Sequence, residues 1–336
     1  MSKVTVNNSK TNTLSPILTR KIFESFPNNS EAVKIGTQSY PSSIVELNRP
    51  TGKYIHRLLI RLFNLFSKKG MIRSLGNTCA PGLIFPKLEN GRGITQFNIS
   101  NNVCGVVSAN ILGNNEYPNS VTVEAKPFMV LNLHSEWHSF EDYLSAFTSK
   151  YRVRAKKVLK ESGHLSKRRI DQLPSNEWIA ACGKLLAESL QDKTIALGKN
   201  LPQLLQCYHN SLNENFRVYG YYQESKLVGF ISCIIDGSNL FAMHLGMDAK
   251  VGSHTKLYQR MLMDLVEVSF ENSISNINFG RTGTEIKSTL GALPVTNSFV
   301  VFTKSKFLLF FFYLYAKFFH KQERYKLRKP FKEEYY

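Results

Sequence analysis

The segment NFGRTGTEIKSTLG, residues 278–291, joins a short apolar strand to a polar helical turn. The strand, Ile274 to Phe279, stops at a glycine and an arginine, and the turn that follows carries Glu285 and Lys287. A loop beyond the carboxyl end of a buried strand is open to solvent while the strand holds it in place, and α/β folds often place their chemistry there. The segment therefore predicts an enzyme.

The composition is that of a globular and strongly basic protein. Of the 336 residues, 43% are hydrophobic and 20% are charged, which argues against a disordered chain. The formal net charge is +18 and the pI is about 9.6. A positive field of this kind attracts polyanions, and it leaves open nucleic acid, an anionic bilayer surface and an acidic substrate.

Cysteine usage and hydropathy bear on the compartment. The five cysteines form no C-x-x-C pair and have no histidine at metal-ligand spacing, so we expect no metal site, no disulfide framework and a reducing compartment. Residues 1–13 are polar, and no apolar run reaches the roughly 18 residues of a spanning helix. These features predict a cytoplasmic protein and leave open its attachment to the inner face of the membrane.

Changes in pattern divide the chain into four segments. Residues 1–50 are polar and poorly periodic, so we expect little regular structure there. Residues 51–135 begin with a helical apolar pattern and continue as short β-like runs, which predicts a partly β domain. Residues 136–305 alternate helices with strands, and residues 306–336 are an aromatic and basic C-terminal helix and tail.

The order of predicted elements resembles a known fold. From residue 175 to 303 it is helix, helix, three antiparallel strands, long helix, strand, helix, strand, which resembles the acyl-CoA N-acyltransferase (GNAT) fold. That fold is of the α/β (α+β) class, a mixed and mostly antiparallel sheet flanked by helices. Residues 140–160 and 278–291 are similar to stretches of the FemAB-like branch of the superfamily, whose members carry two tandem GNAT-like units. The resemblance covers residues 130–300 and leaves a degenerate first unit before residue 130 open.

The resemblance implies an N-acyltransferase that transfers an acyl or aminoacyl group to an amine of a sugar, lipid or cell-envelope precursor. The GNAT phosphate loop, [QR]-x-x-G-x-[GA], is missing, and KVGSHT, residues 250–255, stands in its place. A helix N-terminus at Gly252 and Ser253 would still favour an anion, and an ordinary N-cap is the alternative. Both acyl-CoA and aminoacyl-tRNA therefore stay open as donors.

Acyl transfer to an amine needs positioning, a base for the ammonium proton and donors for the oxyanion. Strict alternation along the strand 239–247 would place the odd-numbered residues on the core face and His244 on the opposite face, at the floor of a cleft. We predict His244 as the general base, and a structural histidine is the alternative. Asp248 would orient the acceptor amine, and Tyr258 would be a general acid for the leaving group. The alternatives are a turn acid and a packing aromatic residue.

Further candidates would bind substrate or donor. Arg281 would clamp a carboxylate or phosphate, or would instead pair with Glu285 four residues later. Lys287 would face the same cleft as Arg281, opposite His244, and a solvated lysine is the alternative.

Two more groups complete the predicted site. Tyr219 and Tyr221 share a strand face and would line a substrate groove. Lys150 and Arg154 belong to a cluster of nine basic residues between positions 150 and 169. That cluster would hold a phosphate-rich donor such as tRNA or CoA, and a solvated helix face is the alternative.

Two other functions remain open from the sequence. A catalytically silent GNAT-like protein could bind an anionic membrane surface, or the basic cluster could bind nucleic acid. Residues 54–73 and 307–332 pair bulky apolar residues with a basic flank, which is typical of helices that bind anionic lipid. The alternative is that both segments cover the core.

Overall fold

The computed structural model describes a mixed sheet of eleven strands with helices on both faces. It describes residues 14–15, 17–18, 21, 32–35, 38–46, 71–75, 104–108, 120–172, 175–189, 201–303, 305–314 and 325–335. Most residues before 32 and most of the predicted interfacial helix at 54–73 lie outside these residues. Residues 32–35 and 38–46, for which we expected little regular structure, form strands.

The strands follow the chain as β1 Ala32–Ile35, β2 Gln38–Glu46, β3 Met71–Leu75, β4 Cys104–Ser108, β5 Ser120–Asn132, β6 Ser166–Ile170, β7 Phe216–Gln223, β8 Lys226–Asp236, β9 Asn239–Met247, β10 Asn276–Asn278 and β11 Leu293–Phe302. Their order across the sheet is β1-β2-β3-β4-β11-β5-β10-β9-β8-β7-β6. The pairs β3–β4 and β9–β10 are parallel, and the remaining pairs are antiparallel. The predicted fold class, mixed and mostly antiparallel, is confirmed.

The described helices are α1 Phe140–Ser145, α2 Ser149–Glu161, α3 Asn176–Ser189, α4 Leu201–Leu212, α5 Ala249–Thr255, α6 Leu257–Glu271, α7 Thr284–Ser288 and α8 Lys306–Leu314. Within the described residues, no helix has the length and apolarity needed to cross a bilayer. From α3 to β11 the elements follow the order that the GNAT resemblance implied. The four segment boundaries and the tandem first unit stay predictions.

Two hydrophobic clusters lie on the two faces of the sheet. One joins α1, α2 and α6 to the sheet through side chains such as Tyr143, Ala155 and Met261. The other joins α3 and α4 through Leu185 and Tyr208. Burial of these apolar surfaces supplies most of the driving force for folding.

A β-bulge in β9 makes the predicted strict alternation wrong. Ile231 of β8 pairs with Leu245, but Cys233 pairs with Ala242, so β9 holds one extra residue between the two pairs. A shift of one residue moves every later side chain to the other face of a sheet. Ala242 and Leu245 therefore both pack in the cluster of α6, although strict alternation places them on opposite faces.

A break at Lys256 divides the long helix predicted from His254 to Phe270. The structure has α5 and then α6, with Lys256 between them in the left-handed region at φ 54°. Asp248 is the N-cap of α5, and its Oδ1 accepts from the N–H groups of Lys250 at 2.9 Å and Val251 at 3.1 Å. These bonds hold the pKa of Asp248 below its usual 3.8, with Val251 the largest cause.

We expect Asp248→Ala to lower the free energy of unfolding by about 1 kcal/mol at pH 7, because the first turn of α5 loses its cap. The folded-state pKa is depressed, so the cap stabilises above the unfolded-state pKa and its contribution disappears as pH falls through the folded-state pKa. Urea unfolding at pH 7 and at about pH 3 measures both effects. Asp171→Ala is the control, since its exposed carboxylate pairs with Arg169 and caps no helix. A difference from wild type that persists undiminished in acid would contradict this role.

The residues 325–335, named here the C-terminal strap, lie against α1 and the start of α2. The N–H of Thr148 donates to the carbonyl of Pro330 at 2.9 Å, and the N–H of Lys332 donates to the carbonyl of Ala146 at 3.0 Å. Between these bonds, Phe331 is buried in the aromatic cluster of α1. With Phe331 held there, the first part of the strap, Tyr325 to Arg328, lies beside α7.

Candidate functional site at the end of strand β10

Strands β9 and β10 part at the end of β10. They pair over only three residues, 276–278 with 239–241, and β9 then runs on to Met247. The chain after β10 stays on β5 instead, because the N–H of Phe279 donates to the carbonyl of Met129 at 2.9 Å, and the N–H of Met129 donates to the carbonyl of Gly280 at 3.1 Å. The segment 278–291 thus leaves the sheet beside an opening between two strands.

A turn fixed by buried polar groups carries this segment into α7. The side-chain oxygen of Asn278 accepts from the N–H of Gly280 at 2.8 Å. Lys287, with 2% of its surface exposed, donates from its ammonium to the carbonyl of Phe279. Gly283 has φ 69° and begins α7, a conformation that glycine adopts without steric cost. Lys287 therefore holds the turn from inside, which differs from its predicted position facing an open cleft.

A cavity of about 580 Å³ opens on the outer side of α7. We name it the cationic cavity because three basic side chains and one carboxylate line it among the described residues. Its lining residues come from α7 and its N-cap, β5, α2 and the C-terminal strap: Lys126, Arg154, Gly283, Thr284, Glu285, Ile286, Thr289, Tyr325 and Arg328. The volume lies in the range of small-molecule and cofactor sites.

Two of the arginines in the cationic cavity have different kinds of partner. Arg328 of the strap donates to the carboxylate of Glu285. The structure thus pairs Glu285 with Arg328, whereas the sequence offered Arg281 as its partner. Arg154 projects from the exposed side of α2 and lies over the ring of Tyr151 at 5.4 Å. Within the part of the chain that the structure describes, no carboxylate lies within salt-bridge distance of Arg154.

A second cavity of about 250 Å³ adjoins the first. We name it the apolar cavity because buried apolar side chains form its inner wall. It lies between α2, α6 and the end of α7, and its lining residues are Phe147, Tyr151, Arg154, Ala155, Lys157, Val158, Lys256, Gln259, Met263, Thr289 and Leu290. Arg154 and Thr289 line both cavities.

Tyr258, the predicted general acid, lies behind the wall of the cationic cavity. A Cβ at Gly283 would be 2.6 Å from the Tyr258 hydroxyl, so the two residues are in contact. Burial raises the pKa of Tyr258 to about 12, and the phenol is therefore protonated at neutral pH. It can donate a hydrogen bond toward this turn, although it does not itself line the cavity.

His244 and Arg281 lie with the α3–α4 side of the sheet. The His244 ring stacks on Tyr208 of α4, with centroids 6.3 Å apart and planes 23° apart, and only 7% of the residue is exposed. Arg281 lies 6.0 Å above the ring of Phe128, which packs in the same cluster as Tyr208, and burial lowers the pKa of Arg281. The bulge in β9 turns His244 toward α4, so the predicted cleft floor around it is not formed. Its role as general base stays a prediction that this geometry does not favour.

Tyr219 and Tyr221 pack in the core, so the predicted open groove is wrong. Both lie in the cluster of α6, and the Tyr221 hydroxyl donates to the carboxylate of Asp264 at 2.7 Å. Asp264 also accepts from Arg260 at 2.8 Å and lies 3.7 Å from the Lys167 ammonium. Burial raises the pKa of Asp264 despite these cations, and the group forms a buried ion network.

The helix N-terminus predicted at Gly252 and Ser253 lies at Asp248 instead, so both residues are inside α5. The N–H of Gly252 donates to the carbonyl of Asp248 at 2.8 Å, and the Ser253 hydroxyl donates to the carbonyl of Lys250 at 2.8 Å. Asp248 uses its carboxylate to cap α5 and lies 3.6 Å from the Lys226 ammonium. These groups are engaged in local structure, so the structure gives Asp248 a capping role where an amine-orienting role was predicted.

The basic cluster 150–169 divides into two parts. On β6, Lys167 pairs with Glu267 at 2.7 Å, Arg169 pairs with Asp171 at 2.7 Å, and Arg168 lies over the ring of Tyr222. On α2, Lys150 is exposed and lines neither cavity, whereas Arg154 lines both. Of the predicted binding residues, the structure thus brings Arg154 and Glu285 together.

Sequence reasoning missed Lys126, Tyr325 and Arg328 as lining residues. Arg328 and Glu285 are 43 positions apart, and no local spacing connects them. The basic pattern of the C-terminal tail was the one available signal, and it was interpreted as a membrane-binding flank. No group of three or more His, Cys, Asp or Glu side chains in the described residues is placed to hold a metal ion.

No protein-family model and no curated protein matches the sequence. Similar solved structures include L-PGS from Bacillus licheniformis, at 11% identity and a TM-score of 0.48, covering 96% of this chain and 100% of that one. FemX is similar at 8% identity and a TM-score of 0.46, covering 88% of this chain and 93% of that one. A GCN5-related N-acetyltransferase from Kribbella flavida is similar at 10% identity and a TM-score of 0.40, covering 87% of this chain and 96% of that one. At these levels none of them assigns a residue role or a substrate to this chain.

Proposed function

We propose that this protein is an N-acyltransferase that moves an acyl or aminoacyl group from an activated donor to an amine. The observation that carries the proposal is the cationic cavity at the end of β10, where α7 leaves the sheet beside the parting of β9 and β10. Ligands of α/β sheets bind beyond the carboxyl ends of strands, and the cavity has the size of a substrate site. The element order from α3 to β11 supports the same proposal.

The charges suggest what the cavity binds. Arg154 has no carboxylate within salt-bridge distance among the described residues, so an anionic group is favoured beside it. Arginine forms two parallel hydrogen bonds to phosphate or carboxylate, and a phosphate of CoA or of a tRNA end has this chemistry. Glu285 offers the one carboxylate among the described lining residues, and it would bind the ammonium form of the acceptor.

The reaction needs few groups from the protein. The acceptor nitrogen loses a proton, which Glu285 would accept after exchanging its bond to Arg328 for one to the amine, and the nitrogen lone pair attacks the acyl carbon of the donor. The new C–N bond forms, and the C–S bond of a thioester or the C–O bond of an aminoacyl ester breaks. The leaving thiolate or alkoxide takes up a proton from water or from the site. Most of the rate enhancement would come from holding the two substrates together.

Product analysis tests the proposal. Purified protein is incubated with an acyl-CoA thioester, and in parallel with aminoacyl-tRNA, in the presence of amine-bearing sugars and lipids. We expect an N-acylated product by mass spectrometry with one donor class, together with an equal amount of free CoA or deacylated tRNA. Folded protein that yields no such product with either donor would contradict the proposal.

A second candidate function, binding to an anionic membrane surface, is favoured by α8. Phe307, Phe310 and Tyr313 are about half exposed and recur every three residues, so they share one side of the helix, which begins at Lys306. Aromatic side chains of this kind enter the interfacial region of a bilayer, and the net charge of +18 adds attraction to anionic lipid.

We expect Phe310→Ser to weaken binding to vesicles rich in anionic phospholipid by about tenfold, because one aromatic ring no longer leaves water. Vesicle flotation at several lipid concentrations measures the partition. Val153→Ser is the matched control, since Val153 is equally exposed on α2. Equal flotation of Phe310→Ser and the control would remove α8 as the contact.

A further inference from the structure

We infer that one substrate of this protein is an anionic amphiphile, with a phosphate-bearing head in the cationic cavity and an acyl or alkyl chain in the apolar cavity. This inference names a substrate class for the proposed acyl transfer and therefore rests on the proposed function. Its basis is the chemistry of the two cavities and of Arg154, which lines both.

The two cavities adjoin through side chains that they share. Arg154 of α2 and Thr289 at the end of α7 line both of them. A ligand that occupies both cavities would therefore contact both of these residues. The guanidinium at that point carries a positive charge and planar donors, which match a phosphate group.

The inner wall of the apolar cavity is made of buried apolar side chains. These are Phe147, Ala155, Val158, Met263 and Leu290, which belong to the cluster of α6 and are each at most 5% exposed. A polar ligand group in contact with this wall would lose its hydrogen bonds to water. A hydrocarbon chain loses nothing there and leaves water, so it is the favoured occupant.

The rim of the apolar cavity is polar, and its basic side chains differ in their carboxylate partners. Lys157 and Lys256 both face Glu161, at 3.6 Å and 2.9 Å, and Lys256 is the larger cause of the lowered pKa of that carboxyl. Arg154 has no carboxylate partner in the described part of the chain. The two lysines share one carboxylate, so positive charge is in excess at the rim as well as at Arg154, and an anionic head at the mouth is favoured.

The volume of the apolar cavity limits the length of the chain. About 250 Å³ holds roughly eight groups the size of a water molecule, at about 30 Å³ each, and a methylene is of similar size. We therefore expect each added methylene to improve affinity by about fourfold until the chain has about eight carbons. Longer chains should add little, because their ends would remain in water.

Isothermal titration with n-alkyl phosphates from butyl to dodecyl, each below its micellar concentration, tests the inference on the full-length protein. We expect affinity to rise with chain length and then level off near eight carbons, with inorganic phosphate and n-octanol both binding at least tenfold more weakly than octyl phosphate. Affinity that is independent of chain length, or equal for octanol and octyl phosphate, would overturn the inference.

Two pairs of variants locate the binding. Val158→Phe fills the apolar cavity, and Val153→Phe makes the same change on the exposed side of the same helix, with exposures of 5% and 63%. Arg154→Glu reverses the charge between the cavities, and Lys156→Glu does so at an exposed position that lines neither. We expect at least tenfold weaker octyl phosphate binding in the first member of each pair. If Val158→Phe does not fold, the arginine pair decides, and equal binding by Arg154→Glu and Lys156→Glu overturns the inference.

Two further measurements identify the source of the acyl or alkyl chain and test the proposed reaction independently of octyl phosphate binding. Binding of vesicles that contain phosphatidic acid, in addition to soluble octyl phosphate, identifies a membrane lipid, whereas binding of the soluble ligand alone identifies a soluble acyl carrier. Octyl phosphate binding without N-acyl product from either donor contradicts the proposed function alone. Product formation without chain-dependent binding contradicts the amphiphile alone.

Discussion

Replacing Phe331 by alanine is expected to lower the free energy of unfolding by about 3–5 kcal/mol, the usual cost of removing a buried phenylalanine ring. Phe331 is 6% exposed, and its ring centroid lies 4.9 Å from Trp137, 5.2 Å from Phe147 and 5.8 Å from Tyr143. It also packs directly on Gly291, which has φ 89° and leaves room for the ring. Tyr335 of the same strap also contacts Trp137, with ring centroids 5.5 Å apart, but its side chain is only partly buried.

Urea unfolding followed by tryptophan fluorescence measures this loss, because Trp137 contacts the deleted ring. Leu327→Ala in the same strap is the control and should change stability by less than about 0.5 kcal/mol, since Leu327 is exposed. We also expect Phe331→Ala to weaken octyl phosphate binding, because Arg328 and Tyr325 would lose their position in the cationic cavity. A loss of stability near that of the control would contradict the anchoring role.

Arg154→Glu is expected to lower kcat/KM for acyl transfer by about tenfold to a hundredfold. A hydrogen bond to a charged group contributes about 1.5–3 kcal/mol, and each 1.4 kcal/mol is a factor of ten. Arg154 lines both cavities and has no carboxylate partner in the described residues, so the substrate would provide its counter-charge. The introduced glutamate would instead repel a phosphate.

Initial rates with the active donor measure this effect, and Lys156→Glu on the same helix is the control. Both variants change the net charge by two units, so any loss from the general positive field appears in both. Arg154 is exposed, and its replacement should leave the free energy of unfolding within about 0.5 kcal/mol of wild type. Equal rates for the two variants would show that the cationic cavity does not hold the substrate.

The order of elements from α3 to β11 could be predicted because each element has a local signal. Apolar periodicity marks the helices, and the turn at Asp236 and Gly237 marks the hairpin between β8 and β9. The break at Lys256 had no such signal. Lys256 has φ 54°, and residues other than glycine rarely adopt this left-handed conformation. The predicted long helix therefore began at His254, inside α5, and ran through the break.

The bulge in β9 explains the largest error in the predicted site. Alternation assumes that every residue of β9 has one partner on β8, but between Ala242 and Leu245 this is not so. No residue type in β9 predicts the bulge. His244 consequently packs against Tyr208, and the sequence alone could not distinguish this face from the other.

Arg154 and Glu285 could be proposed from sequence because each lies in a recognisable local pattern, a basic helix and a turn after a strand. Their neighbours Lys126, Tyr325 and Arg328 could not, because tertiary packing brings them there. The contact of Phe331 with α1 positions the strap, and through it Arg328 reaches Glu285. Local sequence spacing cannot predict a site that is assembled from segments this far apart in the chain.

The most direct measurement is the amine-dependent formation of an N-acylated product by wild-type protein and by Arg154→Glu, followed by mass spectrometry with matched amounts of folded protein. The proposal predicts product from the wild type with an equivalent amount of released carrier, and a rate at least tenfold lower for Arg154→Glu. Product formed at the same rate by both proteins would contradict the placement of the reaction at the cationic cavity. No product from either donor class would contradict the acyl transfer itself.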